Sequence, residues 1–235
     1  MCTVTFIPSN DIFFITSNRD ESPERKAKGL ISMHPPGKNV IHYPLDETSG
    51  GSWIALSDEG RVVCLLNGAF ESFIPDPSYR KSRGQVVIDA VHESDIQYFT
   101  DNYNFEGIAP FTLLLFENPT FIQLIWDGTK KEVSPLSITE PHIWSSVTLY
   151  PPPVRAWRKS LFEKWLGETD VYNRETIIQF HQMANGDPDN DFIMNRRDVV
   201  RTLSITNIVL RPKSSSILHL ELDNELREEI LVKYE

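Results

Sequence analysis

Apolar and polar positions over residues 1–17 predict a β-hairpin. The runs "CTVTFI" and "IFFITS" are rich in β-branched and aromatic residues, and they flank "PSND", which carries turn-forming residues. With Ser9 and Asn10 as a two-residue loop, the register would place Cys2 opposite Ser17. Cys2 would therefore lie beside the polar segment "SNRDE".

Strand patterns recur in pairs along the rest of the chain. "SGGSWIALSDEGRVVCLLNG" predicts a hairpin with strands over residues 53–56 and 61–67. "FTLLLFEN" with "FIQLIWDG", and "TLSITNIVL" with "SSILHLEL", predict two further pairs. "HIWSSVTLY" predicts a strand that stops at the proline run from Pro151 to Pro153, because proline cannot continue sheet pairing.

Segments with helical spacing separate these pairs. "SRGQVVIDAVHE" predicts one helix, and "VRAWRKSLFEKWL" predicts a second with Trp157, Leu161 and Trp165 on one face. The two tryptophans are expected in the core. Asn173 is expected to cap a third helix with its body from Thr176 to Met183. Blocks of paired strands between blocks of helix favour an α+β fold with antiparallel sheets over a parallel sheet. We expect a single domain over residues 1–235.

Composition narrows the class of protein. The 235 residues are 40% hydrophobic and 24% charged, which is typical of a globular domain, and no apolar run approaches the length of a membrane span. The formal net charge of −10 disfavours binding to nucleic acid, which needs clustered Lys and Arg. A small-molecule substrate or ligand is the expected partner.

The cysteine and histidine content restricts the chemistry further. Only Cys2 and Cys64 occur, too few for a disulfide framework, and no signal-peptide pattern precedes them, so we expect a cytoplasmic location. Cys64 is expected to fill the core. The histidines show no pair at metal-ligand spacing, so His181 is expected to be a packed or surface residue. We expect neither a metal nor a cofactor. Gly50 and Gly51 are expected to allow close packing in front of the following strand.

Cys2 is the first candidate for catalysis. Removal of Met1 would leave a residue that carries both a thiol and an amine with a pKa of about 7.7–8.0. The amine could take the proton of the thiol. The alternative is that Cys2 is a small apolar residue at the start of a strand. In "SNRDE", an acid could hold the amine, and an arginine could lower the thiol pKa or bind a substrate carboxylate.

Four motifs, "MCTVTF", "SNRDES", "GGSWIALSDEGRVVCLLN" and "SRGQVV", occur in the order and spacing of the NRDE family, which is related to the transport and Golgi organisation proteins. The chain resembles that family over most of its length. The family in turn resembles cysteine N-terminal-nucleophile hydrolases of the bile-salt hydrolase and penicillin V acylase type. The resemblance implies a four-layer αββα sandwich and hydrolysis of a non-peptide amide or related acyl bond.

The resemblance also implies roles for individual residues. Cys2 would be the nucleophile and its amine the base, Asp20 would orient that amine, and Arg19 would contact the substrate or the thiolate. The side-chain amide of Asn67 could donate to an oxyanion. The positions expected to bind substrate are Asn18, Ser146 and Arg201.

Three features depart from the family pattern. Arg19 and Asp20 are adjacent, so both can reach Cys2 only if the strand ends or bulges there. Ser146 stands where the family tends to have asparagine. Leu203 stands where an arginine is usual, with Arg201 nearby but displaced in the alternation. Either the substrate differs or catalysis has been lost.

Two non-enzymatic alternatives stay open. One is a binding or trafficking protein that holds haem or an acyl or lipid ligand in the same cleft, although no paired haem ligands are present. The other is a scaffold without a ligand. Fold-level similarity does not decide among them, because one fold supports many functions.

Overall fold

A computed structural model describes residues 3–73 and 78–234. Cys2, the proposed nucleophile, lies outside these residues. Within them the chain forms two antiparallel β-sheets with helices on both outer faces, so the predicted α+β sandwich is confirmed. No helix in these residues is long and apolar enough to cross a bilayer.

Sheet I has seven strands among the described residues and contains the first and the last of the described strands. Its strand order is β10-β1-β2-β12-β13-β14, and β11 pairs with β12 outside this path. The strands are β1 (Thr3–Ser9), β2 (Ile12–Glu21), β10 (His142–Ser145), β11 (Asn195–Arg196), β12 (Val200–Arg211), β13 (Ser214–Glu221) and β14 (Arg227–Lys233).

Sheet II is a simple meander of seven strands in the described part of the chain. Each strand pairs with the next one in sequence, from β3 to β9. The strands are β3 (Ala27–Met33), β4 (Ile41–Asp46), β5 (Ile54–Ser57), β6 (Val62–Asn67), β7 (Phe111–Glu117), β8 (Thr120–Trp126) and β9 (Lys131–Pro135). The predicted hairpin over 53–67 is therefore confirmed as β5 and β6.

Helices cover the outer face of each sheet. The helices α1 (Arg83–His92) and α2 (Ile96–Asn102) pack on sheet II, whereas α3 (Pro152–Glu168) and α4 (Arg174–His181) pack on sheet I. The larger apolar core lies between the two sheets and under α1, and a smaller one lies between sheet I and its helices. This layering follows from strands that bury both faces, since each sheet needs a cover on each side.

The first hairpin has a different register from the one predicted. Ser9 pairs with Ile12, so the two-residue loop is Asn10 and Asp11, and Ser17 pairs with Val4 rather than with Cys2. Asn10 adopts a positive φ of 54°, which asparagine tolerates better than most residues. The shift is by two residues, so each side chain keeps the face that alternation assigned to it.

The predicted helices occur, with one correction to the core. Asn173 caps α4 as predicted, and its side chain accepts from the backbone N–H of Thr176. In α3, however, the fully buried residues are Arg158 and Phe162, and the predicted core residues Trp157 and Trp165 are half-buried. An arginine can occupy the buried stripe because its guanidinium finds hydrogen-bond acceptors there.

Candidate active site

β2 continues through the whole "SNRDE" segment to Glu21, so adjacent residues point to opposite faces of sheet I. Asn18 and Asp20 face the helices, and Arg19 faces sheet II. The strand neither ends nor bulges at Arg19 and Asp20, which was the condition for both side chains to lie on one face. The bulge lies in the neighbouring strand β12, where Thr202 pairs with Asp20, Ser204 pairs with Arg19, and Leu203 is the additional residue.

The carboxylate of Asp20 is buried and held by two hydroxyl groups. Tyr150 donates its phenolic O–H to Oδ2 at 2.7 Å, and Thr202 donates to Oδ1 at 2.6 Å. The β12 bulge is what turns Thr202 toward Asp20, because regular alternation would place it on the same face as Ser204. The aspartate is thereby fixed in position beside the first described residues of β1.

Arg158 of α3 packs against Tyr150 and Thr3, next to Asp20. Its guanidinium is fully buried and stacks 3.6 Å from the ring centroid of Tyr150. It donates to Oγ1 of Thr3 at 2.5 Å and to the carbonyl oxygens of Asn190 and Asp191. One side chain therefore joins the start of β1, the tyrosine that holds Asp20 and the loop before β11.

Asn18 is part of a closed hydrogen-bond network on the same face. Its amide donates to the carbonyl oxygens of His181 and Phe192, at 3.0 and 2.7 Å, and its Oδ1 lies 2.5 Å from Nδ1 of His181. The Nε2 atom of His181 lies 2.7 Å from Oγ1 of Thr5. Burial and the charge of Arg158 lower the pKa of His181 to about 3. His181 is a packed helix residue, as expected.

Arg19, on the opposite face of β2, lines a cavity of about 280 Å³. Its guanidinium is buried, lies 3.3 Å from Oδ2 of Asp46 and sits 4.7 Å from the centroid of the Trp53 ring. Burial lowers the pKa of the guanidinium, and the Asp46 carboxylate opposes that shift. Asp46 also pairs with Arg25 at 2.9 Å, so one carboxylate holds two arginines in place.

The start of α1 closes this cavity. Ser82 caps the helix, and Arg83 and Gly84 line the cavity beside it. A Cβ on Gly51 would lie 2.3 Å from the backbone carbon of Gly84, so the expected close-packing role of Gly51 is confirmed. Only glycine permits this approach of the β4–β5 connection to the helix.

Asn67, at the end of β6, lines the Arg19 cavity and also a second cavity of about 490 Å³. Ser146 lies behind it, fully buried, and donates its hydroxyl to the backbone oxygen of Asn67 at 2.8 Å. The second cavity is lined by apolar residues of sheets I and II and of the following loop, including Phe70, Ile143 and Trp144.

The remaining predicted residues lie apart from this site. Arg201 does not line the Arg19 cavity in the described structure; its guanidinium pairs with Asp223 at the surface. Cys64 is fully buried in the core, and burial raises the pKa of its thiol to about 12, so it fills the core as expected. Among the described residues no cluster of His, Cys, Asp and Glu is arranged to hold a metal ion.

The residues that support Asp20 and Arg19 are not apparent from the sequence. Tyr150, Arg158 and Thr202 are far from "SNRDE" in sequence, and their patterns suggested only a strand end, a helix surface and a strand. Arg83 was detectable, because it belongs to the quoted motif "SRGQVV", but no role was assigned to it. Asp46 carried no distinguishing pattern.

Two stacked antiparallel sheets between layers of helices form a four-layer αββα sandwich. A cysteine-to-alanine mutant of conjugated bile acid hydrolase from Clostridium perfringens is similar to the chain at a TM-score of 0.59 and 9% identity, covering 100% of this chain and 97% of that one. The Caenorhabditis elegans N-acylethanolamine-hydrolyzing acid amidase ortholog is similar at a TM-score of 0.61 and 10% identity, covering 88% and 92%. At these identities the similarity establishes the fold.

The family follows from the sequence itself. Residues 1–217 match the profile of the family described as Transport and Golgi organisation 2, and the chain belongs to that family. No curated protein sequence matches the chain.

Proposed function

We propose that this protein is a cysteine N-terminal-nucleophile hydrolase that cleaves a non-peptide amide, or a related acyl bond, of a small molecule. The observation that carries the proposal is the position of Asp20. Its buried carboxylate is fixed by Tyr150 and Thr202 on a strand that pairs directly with the start of β1. Thr3, which follows Cys2 in the sequence, pairs with Asn18 and is anchored by Arg158.

The proposed reaction needs removal of Met1, which frees the amine of Cys2. That amine takes the thiol proton as the sulfur attacks the substrate carbonyl, and the resulting oxyanion accepts a hydrogen bond from the Asn67 amide. The C–N bond then breaks, the protonated amine of Cys2 gives its proton to the leaving nitrogen, and a thioester remains. Water, deprotonated by the same amine, cleaves the thioester and restores the thiol. Asp20 would stabilise the protonated amine.

Because Cys64 is buried, it serves as an internal control when the reactivity of the Cys2 thiol is measured. Because burial raises its pKa to about 12, Cys64 is protonated at neutral pH and closed to reagents in the folded protein. A thiol-reactive acyl probe should therefore label Cys2 alone. The proposed cytoplasmic location, which would keep both thiols reduced, rests on the low cysteine count of the sequence.

The test combines intact mass with turnover. Protein purified from its native source should lack Met1, and a panel of N-acyl amides should be hydrolysed by wild type but not by the Cys2→Ala variant, while circular dichroism shows both folded. Cys64→Ala should keep the activity. Retention of Met1 in the native protein, or undiminished hydrolysis by Cys2→Ala, would refute the proposal.

A non-catalytic binding protein is the second candidate. It is favoured by Leu203, which stands at the β12 bulge where the family pattern has an arginine, and by Arg201, which turns to Asp223 instead. Under this alternative the two cavities at Asn67 bind a ligand without turnover. Saturable binding by wild type and Cys2→Ala alike, with no product from either, would favour it.

A further inference from the structure

The Arg19 cavity carries positive charge in a protein that is strongly acidic. Among the described residues that line it, four side chains are cationic and two are carboxylates, whereas the formal net charge of the whole chain is −10. The cations are Arg19, Arg25, Lys81 and Arg83, and the carboxylates are Glu21 and Asp46. The excess of positive charge is therefore confined to this cavity and its surroundings.

Both carboxylates are already engaged by two of the four cations. Asp46 pairs with Arg19 and Arg25 and also accepts backbone N–H groups of Thr48 and Ser49. Glu21 pairs with Arg25 at 3.2 Å. They therefore have little capacity left to neutralise a third guanidinium.

Lys81 forms an ion pair with Asp89, which is not among the residues that line the cavity. Arg83 is the lining cation that all these pairs leave over. In the described part of the chain no carboxylate forms an ion pair with it; its Nη1 donates to the carbonyl oxygen of Pro110 at 3.2 Å. Burial, and then the like charge of Arg25, lower its pKa to about 10. A bound anion would compensate both the desolvation of the guanidinium and its repulsion by the neighbouring cations. A half-buried guanidinium next to other cations is therefore a favourable place for an anion.

The second cavity has a different lining. Phe70, Ile125, Ile143 and Trp144 supply apolar surface, and the cations Arg155 and Lys159 come from α3. Lys159 is largely exposed and lies 3.7 Å from Glu163, so it belongs to the outer rim. The Nε atom of Arg155 is buried without a hydrogen-bond partner among the described residues, but most of the lining is apolar. This cavity therefore suits an apolar group more than a charged one.

Asn67 is shared by the two cavities, which places the proposed bond cleavage at their junction. We propose that the ligand is an anionic amphiphile: its carboxylate or phosphate binds Arg83 in the Arg19 cavity, and its acyl or flat apolar part lies in the second cavity. The site of cleavage rests on the proposed function, but the anion preference does not. Arg83 is the residue that would give that preference, since a planar guanidinium binds either anion through two hydrogen bonds.

Binding can be measured without turnover in the Cys2→Ala variant. By isothermal titration calorimetry, N-dodecanoylglycine should bind about tenfold or more tightly than its neutral analogue N-dodecanoylethanolamine, because a charge-assisted hydrogen bond is gained. Dodecyl phosphate provides a second anion and distinguishes phosphate from carboxylate selectivity. Equal affinities for the neutral and both anionic probes would overturn the proposal.

Two substitutions locate the anion. Arg83→Gln should reduce the preference for N-dodecanoylglycine to near unity, and Arg155→Gln, which removes the guanidinium at the other cavity, should leave it intact. Loss of the preference in Arg155→Gln but not in Arg83→Gln would refute the assigned orientation. Phe70→Ala, at an exposed position, should weaken both dodecanoyl probes to a similar extent.

The two proposals can fail separately. If the anion preference depends on Arg83 but no amide is hydrolysed, the ligand assignment stands and the enzyme assignment falls. If hydrolysis depends on Cys2 but neutral and anionic amides react equally well, the enzyme assignment stands and the ligand assignment is refuted.

Discussion

The two faces of β2 contrast in how their polar groups are satisfied. On the helix face, Asn18 and Asp20 lie in a closed network whose other members, among them His181 and Arg158, are fully buried. On the opposite face, Arg19 lies at an open cavity with more positive than negative side chains. The closed face holds its groups in fixed positions, and the open face has bonding capacity left for a ligand. Alternate residues of β2 therefore differ in role: those on the helix face support the structure, and Arg19 on the other face lies where a ligand has room to bind.

The largest expected effect is at the closed face, in Arg158→Met. The substitution keeps much of the volume but removes the donors to Thr3, Asn190 and Asp191, and it ends the stacking on Tyr150. We expect a loss of about 3–4 kcal/mol in the free energy of unfolding, because buried acceptors lose their partners. Urea denaturation followed by tryptophan fluorescence measures it.

A matched control comes from the same helix. Lys164→Met removes a cation that is largely exposed and lies 3.9 Å from Glu168, so its effect should stay within about 0.5 kcal/mol. If Arg158→Met were no more destabilising than Lys164→Met, the network around Asp20 would not be the support described above.

Lowering the pH should have an intermediate effect on stability, through His181 on the same face. The pKa of His181 is lowered to about 3 from its ordinary 6.5, mainly by burial, so below pH 6.5 the unfolded chain binds a proton that the folded protein does not. Stability should fall as the pH drops through this range, by about 2 kcal/mol at about pH 5. The His181→Asn variant should show a correspondingly shallower slope between pH 7 and pH 5 in urea denaturation.

His219 provides a check on this assignment. Its pKa is lowered to about 4, also mainly by burial, so it should keep its own acid-dependent loss in the His181→Asn variant. An unchanged slope in His181→Asn would mean that His181 is accessible to protons in the folded protein, and that the closed face is open to solvent.

The smallest effect on stability is expected at the open face, in Arg83→Gln. The substitution gives up one hydrogen bond to Pro110 but also removes a half-buried charge that is repelled by Arg25. These contributions oppose each other, so the free energy of unfolding should change by no more than about 0.5 kcal/mol. A destabilisation comparable to that of Arg158→Met would make Arg83 a structural residue and remove the contrast between the two faces.

Alternation and helical spacing predicted the α+β class and the strand pairs, whereas the four-layer sandwich was implied by the family resemblance. The motifs and the family resemblance also made Asp20, Arg19 and Asn67 candidates, and their roles stay predictions. The sequence could not predict the partners of Asp20, since Tyr150, Arg158 and Thr202 become neighbours only through packing between distant segments. The hairpin register was wrong by two residues because "PSND" offers several turn positions, and side-chain alternation does not distinguish registers that differ by two.

The bulge at Leu203 shifts the alternation of side chains along β12 by one residue. Before the bulge, Thr202 faces Asp20 and donates to its carboxylate, and after it Ser204 faces the side of Arg19, although the two residues are two positions apart. Deleting Leu203 would remove the bulge and still leave Thr202 opposite Asp20 and Ser204 opposite Arg19, because adjacent residues of a regular strand point to opposite faces. The bulge is therefore what accommodates Leu203: in a regular strand that kept this residue, both hydroxyl groups would lie on one face, and one of them would lose its present surroundings.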